Sequence, residues 1–311
     1  MKRSSSTINE IIKDAKKGKM FILVDNKDRE NEGDLVIPAS KINAKKINFM
    51  AKHGRGLICL SLTQQKVKKL KLPLMSLVNK SRTQTAFTVS IESKKGISTG
   101  ISAQDRAKTI KVAIRPSSSK KDIVSPGHVF PLVAKNGGVL ERAGHTEASV
   151  DISKLAKLNP SAVICEVMNE DGTMARYDDL IPFAKKHRLK IARIEDLISY
   201  RLKNEKLIRC TSNKKIKIKK FGNFDLKTFR NKLDGLEHYA ITKGKFTPSK
   251  ASRVRVISTN ILNTLFNFNK DIFKNSLKHL NKFNNFALIL VKGTNPNPSS
   301  SENNRILRYY G

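Results

Sequence analysis

The chain has 311 residues, 61 Lys and Arg against 26 Asp and Glu, and a formal charge of +35. That length suits two domains, and 39% hydrophobic residues are enough for real cores. No apolar run approaches the roughly 18 residues of a membrane span. The three cysteines, Cys59, Cys165 and Cys210, are scattered without a CxxC pair, which argues against a disulfide framework or a structural zinc site.

Residues 1–19 are polar and lack the apolar centre of a signal peptide, so a cytoplasmic protein is expected. Ile8, Ile11, Ile12 and Ala15 recur at helical spacing behind Ser6 or Thr7 as a cap, which predicts a surface helix. The apolar run Phe21–Val24 reads as a strand. It ends in Asp25-Asn26-Lys27-Asp28-Arg29-Glu30-Asn31-Glu32-Gly33-Asp34, with five carboxylates and one arginine. Clustered carboxylates repel each other and sit comfortably only in solvent or around a cation. Hard oxygen ligands suit magnesium or manganese. A solvated turn is the plainer reading. Against it, Arg29 beside Glu30 sets an anion-binding fork next to a metal ligand.

Further along, strands are expected at Gly56–Leu62, Thr85–Ile91, Lys111–Ile114 and Ala162–Val167. Helices are expected at Ala44–Lys52, Ser102–Lys108, Glu147–Leu158, Tyr177–His187 and Ile194–Lys203. This mixed order predicts an α+β fold, a layered α-β-α domain with a mixed sheet. Residues 115–126 read as a polar loop. Two histidines follow glycine, His128 and His145, and either could ligate a metal or move protons near neutral pH. The glycines around Arg142 suit close approach to an anion, with Arg142 and Thr146 as phosphate partners. Glu166 lies in an otherwise apolar strand. There it is either a paired structural carboxylate or a proton-transfer group of raised pKa.

Several stretches in one order resemble the 3,4-dihydroxy-2-butanone 4-phosphate synthase family of riboflavin biosynthesis. They are Asp28-Arg29-Glu30-Asn31-Glu32-Gly33-Asp34, His53-Gly54-Arg55-Gly56-Leu57-Ile58-Cys59, Thr85-Ala86-Phe87-Thr88-Val89-Ser90, Ser98-Thr99-Gly100-Ile101-Ser102-Ala103-Gln104-Asp105-Arg106, Pro126-Gly127-His128-Val129-Phe130-Pro131-Leu132, Arg142-Ala143-Gly144-His145-Thr146-Glu147-Ala148 and Asp171-Gly172-Thr173-Met174-Ala175-Arg176. The likeness covers about residues 7–203. It implies a lyase that turns D-ribulose 5-phosphate into the four-carbon phosphate and formate, working as a homodimer with sites at the subunit interface. By the same resemblance, Glu30 and His145 would ligate magnesium or manganese, and His128 and Glu166 would be catalytic. Substrate would be held by Arg29, Glu30, Asp34, Arg142, Gly144, His145, Thr146 and Glu166. The other carboxylates of the acidic loop are expected to stay solvated. One departure is Asn79-Lys80-Ser81-Arg82-Thr83-Gln84, where two-domain relatives carry Asn-Thr-Asp-Arg-His-Gly.

A boundary is expected near residue 204, giving domains 1–203 and 204–311. A lysine run follows at 214–220, then a hairpin around Gly222 and strands at Ala240–Ile241 and Val254–Ile257. Asn/Phe-rich helices to about Asn284 and a flexible loop over Pro296–Ser301 complete the expectation. Asn204-Glu205-Lys206-Leu207 and Asp234-Gly235-Leu236-Glu237-His238-Tyr239-Ala240 resemble the opening of GTP cyclohydrolase II, a zinc enzyme and a smaller α/β fold. Its first zinc cysteine falls at Asn260, no cysteine follows Cys210, and its glycine-rich stretch is replaced by Val291-Lys292-Gly293-Thr294-Asn295-Pro296. A degenerate domain without zinc is therefore expected, and the alternative of a bifunctional enzyme that also opens GTP is disfavoured. The lysines are interspersed and do not alternate with aromatics, so nucleic-acid binding is not expected.

Overall fold

A computed structural model describes residues 5–76, 78–247, 252–259 and 270–292. The chain divides into two compact units, residues 1–203 and 204–311.

The first unit opens with α1 (Ile8–Lys16), closed at its start by a capping box between Thr7 and Glu10. Its buried stripe is Ile8, Ile11, Ile12 and Ala15, as the spacing predicts. Next come β1 (Phe21–Val24), β2 (Gly33–Pro38), α2 (Ala44–Phe49), β3 (Cys59–Thr63), α3 (Gln64–Leu70) and β4 (Ile91–Ser93). They are followed by α4 (Ala103–Ile114), β5 (Ile123–Ala134), α5 (His145–Leu155), β6 (Ser161–Glu166), α6 (Tyr177–His187), β7 (Lys190–Arg193) and α7 (Ile194–Asn204). The strands form one mixed seven-stranded sheet in the order β4-β5-β3-β6-β2-β1-β7.

Alternate residues of each strand feed opposite faces, the period-two rule of a pleated sheet. Ile22, Val24, Leu35, Ile37, Leu60, Val163 and Cys165 pack against α2, α3, α4 and α6. Phe21, Leu23, Val36, Cys59, Ala162 and Ile164 pack against α1, α5 and α7. The result is the expected α-β-α sandwich. Central strands buried on both faces read as unbroken apolar runs.

Some local expectations fail for identifiable reasons. Lys111–Ile114 is the last turn of α4, not a strand. Ser102 caps that helix through a 3.0 Å hydrogen bond from the Asp105 amide, and the Arg115-Pro116 step stops it. Four apolar-rich residues cannot by themselves separate helix from strand. β5 occupies part of what reads as a polar loop, because Pro126, Gly127 and Pro131 mask its strand character. β2 is hidden behind the carboxylates that precede it. Thr85–Ile91 supplies only isolated bridges, with Leu74 facing Thr88 and Phe87 facing Leu132, before β4 begins.

A buried ion pair ties α7 to α5. Arg201 Nη1 donates to Asp151 Oδ2 at 2.6 Å and to the Gly137 carbonyl at 2.8 Å, and the Val139 amide donates to the same Asp151 oxygen at 2.8 Å. Gly138, at φ +63°, leaves no room for a Cβ beside that carboxylate. Arg201→Met is expected to destabilise the first unit by about 3–5 kcal/mol, because it strands a buried carboxylate. A shift of the urea midpoint at unchanged slope is the check.

The second unit is a five-stranded sheet in the order β11-β12-β10-β9-β8. Its elements are β8 (Ile208–Ile218), β9 (Gly222–Asn231), β10 (Glu237–Lys243), β11 (Arg253–Thr259), α8 (Lys270–Leu280) and β12 (Phe286–Lys292). The hairpin at Gly222 forms as expected. Phe224, Ile241, Leu277, Leu280, Phe286 and Leu288 make its core. Lys214, Lys215 and Lys217 of the lysine run lie on β8, an edge strand, where exposed charge discourages pairing with another sheet. Asn260 and the Pro296–Ser301 segment lie outside the described residues. No helix among the described residues is long and apolar enough to cross a membrane.

Candidate active site

The acidic loop joins β1 to β2, whose antiparallel pairing runs from Phe21↔Val36 to Val24↔Gly33. Asp25 staples it shut. Its Oδ2 accepts from Arg29 Nη1 at 2.7 Å and from the Glu30 amide at 3.3 Å, and its Oδ1 accepts from the Glu32 amide at 3.0 Å. Asp25 is 6% exposed, so the expectation that the remaining carboxylates of the loop stay solvated fails for this one. A carboxylate can be buried there because three donors converge on it. From outside, Arg176 holds the loop through the carbonyls of Glu30 and Asn31 and the Glu32 carboxylate. That gives the Asp171–Arg176 motif a structural purpose.

The first turn of α5 faces this loop. Gly144 caps the helix, and a Cβ there would lie 2.3 Å from Arg142 Nη1, so a larger residue would push the Arg142 guanidinium aside. His145 is buried. Its Nε2 is 3.2 Å from the Leu23 carbonyl, its Nδ1 is 3.9 Å from Glu30 Oε2, and its Nε2 is 3.9 Å from Asp34 Oδ1. Burial pushes its pKa down against the opposing pull of Asp25 and Glu30. The imidazole is therefore neutral near pH 7, the form that ligates metal. Among the described residues, Asp25, Glu30 and His145 are the one group of three whose ligand atoms all lie within 4.8 Å of one another. Asp25 also carries the three loop hydrogen bonds, whereas among the described residues the Glu30 carboxylate hydrogen-bonds Arg29 alone. Carboxylate oxygen with a neutral imidazole suits magnesium or manganese.

Sheet register brings the acids together. Asp34 on β2 is paired with Glu166 at the end of β6. Burial raises the Asp34 carboxyl well above the usual range, and the nearby Glu166 and Glu30 charges add to it. Burial also raises Glu166, although the Leu57 amide donates to its Oε2 at 2.8 Å. Gly56 makes that contact feasible, since a Cβ there would stand 2.6 Å from the Glu166 carboxylate. β3 pairs Cys59 with both Ile164 and Phe130. Parity with Ile164 and Val36 turns the side chains of Glu166 and Asp34 toward the α5 face. β3 alone separates β5, which carries His128, from β6, which carries Glu166.

The remaining expected residues are engaged within the chain. Arg29 reaches Asp25 and Glu30. Arg142 Nη1 donates to Glu147 Oε2 at 2.6 Å, and its Nη2 donates to the Thr83 carbonyl and Thr85 Oγ1, each at 3.0 Å. It lines a cavity of about 690 Å3 together with Arg82, Lys135 and Phe87. Arg82, in the stretch that departs from the family pattern, donates to the Arg29 carbonyl at 3.2 Å. Thr146 is buried in the first turn of α5, beside His145. His128 contacts the Glu92 carboxylate. Sequence reasoning missed Asp25 as the staple, Arg176 as the outer clamp and Glu92 as the partner of His128. Arg176 stood in a quoted motif, whereas nothing local marks Glu92.

The model of the family 3,4-dihydroxy-2-butanone 4-phosphate synthase matches residues 9–200. The chain belongs to that family. It is accordingly a lyase of riboflavin biosynthesis that forms 3,4-dihydroxy-2-butanone 4-phosphate. The GTP cyclohydrolase II model matches residues 209–292. A synthase of Photobacterium phosphoreum is 51% identical over 251 residues, covering 81% of this chain and 69% of that protein. The riboflavin biosynthesis protein RibBA of Aquifex aeolicus is 52% identical over 84% of this chain and 64% of its own length. The chain thus spans about two thirds of the length of these relatives. Among solved structures, RibBX of A. baumannii, described as a two-domain synthase, superposes with TM-score 0.79 at 40% identity, over 98% of this chain and 87% of that one. A synthase in complex with two magnesium ions superposes with TM-score 0.61 at 37% identity, over 64% of this chain and 98% of its own.

Proposed function

We propose that the chain converts D-ribulose 5-phosphate to its four-carbon product and formate where β2, β6 and the first turn of α5 meet. The observation that carries this reading is the placement of Glu30 and His145 within ligand distance of one ion, beside the Asp34–Glu166 pair. Glu30 and His145 would hold magnesium, or manganese in its place. A divalent cation held by these residues would supply Lewis-acid polarisation of the substrate carbonyl. Enolisation, skeletal rearrangement and formate loss each need proton movement. Glu166, with its raised pKa, and His128 are the groups assigned to it. Asp34, whose carboxyl burial and the Glu166 charge push well above its usual range, is the hydrogen-bonding partner for a substrate oxygen. Arg142, Thr146 and the adjoining α5 amides take the phosphate. Arg142 must share or leave Glu147 to do so. Arg29 and Gly144 border the same space.

Leu57, beside Glu166, and Leu74 and Met75, which line the Arg142 cavity, are exposed apolar side chains. Exposed apolar surface of that kind supports a homodimer with sites at the interface. The proposed location is the cytoplasm.

For the second unit we propose a scaffold or docking role without zinc and without GTP chemistry. No cysteine follows Cys210, and zinc of the cyclohydrolase type needs thiolate ligands. The match to the GTP cyclohydrolase II model favours the bifunctional alternative. Paired formate assays decide between them. Release from ribulose 5-phosphate alone is expected, whereas release from GTP by zinc-loaded protein would overturn the proposal for the second unit.

A further inference from the structure

We propose that Glu92 is the positioning residue for His128, holding the imidazole so that Nδ1 faces the carboxylate and Nε2 faces the reaction. The local backbone is built around this contact. β4 and β5 pair Ile91 with Val129 but Glu92 with Val124, so residues 125–128 arch out of the ladder between those pairs. An irregularity of this type re-aims a side chain. Here it lifts His128 to the Glu92 carboxylate, which contacts Nδ1.

Two glycines shape the slot. At Gly127 a Cβ would lie 2.2 Å from the Ile91 carbonyl carbon, and its amide donates to Ser90 Oγ at 3.1 Å. At Gly100, with φ +84°, a Cβ would lie 1.8 Å from Glu92 Oε1. The Gly100 loop is itself fixed by Asp105, which accepts from the Ser98 amide, Ser98 Oγ and the Gly100 amide at 3.2, 2.8 and 3.1 Å. The Glu92 side chain is 16% exposed and that of His128 44%. Among the described residues, His128 is the one side chain that hydrogen-bonds this carboxylate. A sheltered carboxylate with a single imidazole partner fixes ring orientation and tautomer, since the nitrogen that carries the proton is set by the bond the other makes. The arrangement leaves Nε2 as the working atom.

This inference rests on His128 acting in the reaction, so the test includes His128. kcat and KM for ribulose 5-phosphate are measured for Glu92→Gln, Glu92→Asp, His128→Asn and the double variant Glu92→Gln/His128→Asn, alongside melting temperature. Glu92→Gln is expected to lower kcat roughly 10–100-fold at nearly constant KM, by analogy with the loss when the carboxylate behind a metal-ligating histidine is removed. Glu92→Asp should recover part of that loss, and the double variant should be no worse than His128→Asn alone. An inactive His128→Asn beside a fully active Glu92→Gln overturns the positioning role, as do additive losses in the double variant. A fully active His128→Asn overturns the role of His128 itself and the inference with it.

Discussion

His145→Ala is expected to abolish formate release from ribulose 5-phosphate and to weaken divalent-cation binding, with the fold retained. The imidazole is buried, made neutral by burial, and faces Glu30 Oε2 across 3.9 Å. Removing it leaves only carboxylates, without the nitrogen donor. Loss of a catalytic cation forfeits several kcal/mol of transition-state stabilisation, so a fall of about 1,000-fold or more is expected, equivalent to roughly 4 kcal/mol. The structural cost is smaller. The hydrogen-bond partner of the ring is the Leu23 carbonyl at 3.2 Å, and such a bond contributes about 1 kcal/mol. Formate assay together with calorimetric titration of manganese reads both effects. A variant with full activity and unchanged cation affinity would remove His145 from the site.

Glu166→Gln is expected to lower kcat by about 100- to 10,000-fold, the range for a lost general acid or base, while raising thermal stability near neutral pH in metal-free protein. Burial raises the folded-state pKa of Glu166 above its ordinary 4.5. Between those two values the native state holds more protons than the unfolded state. Stability therefore falls as pH rises through that window, and the penalty is complete above the folded value. Glutamine cannot ionise, and its carbonyl can still accept from the Leu57 amide. The melting temperature of the variant should exceed that of the parent at pH 7.5, and the difference should vanish toward pH 4. A variant less stable than its parent at pH 7.5 would show that the Glu166 charge is stabilised in place.

The fold was legible where one periodicity ran undisturbed. The α6 span Tyr177–His187 and the buried stripe of α1 follow directly from 3.6-residue spacing. Strands whose ends carry site residues were the hardest to read. The carboxylates ahead of β2 and the Pro-Gly step inside β5 serve the site, and they obscure the strand signal. Of the candidate residues, Glu30, Asp34, His145 and Glu166 meet at one end of the sheet, although they stand on a loop, two strands and a helix. What stayed illegible depends on partners far apart in sequence. Glu92 reaches His128 through a break in ladder register. Arg142 is held by the 83–85 loop as well as by Glu147. Asp25 looks like any acid in an acidic loop until three donors are seen to converge on it.

The central claim, that the acidic loop and α5 hold a divalent cation for lyase chemistry on a sugar phosphate, is tested most directly by one measurement. Formate release from D-ribulose 5-phosphate is followed with the full chain before chelation, after chelation and after magnesium is returned. The account predicts activity that disappears with chelator and returns with magnesium. Undiminished turnover in chelator would contradict it.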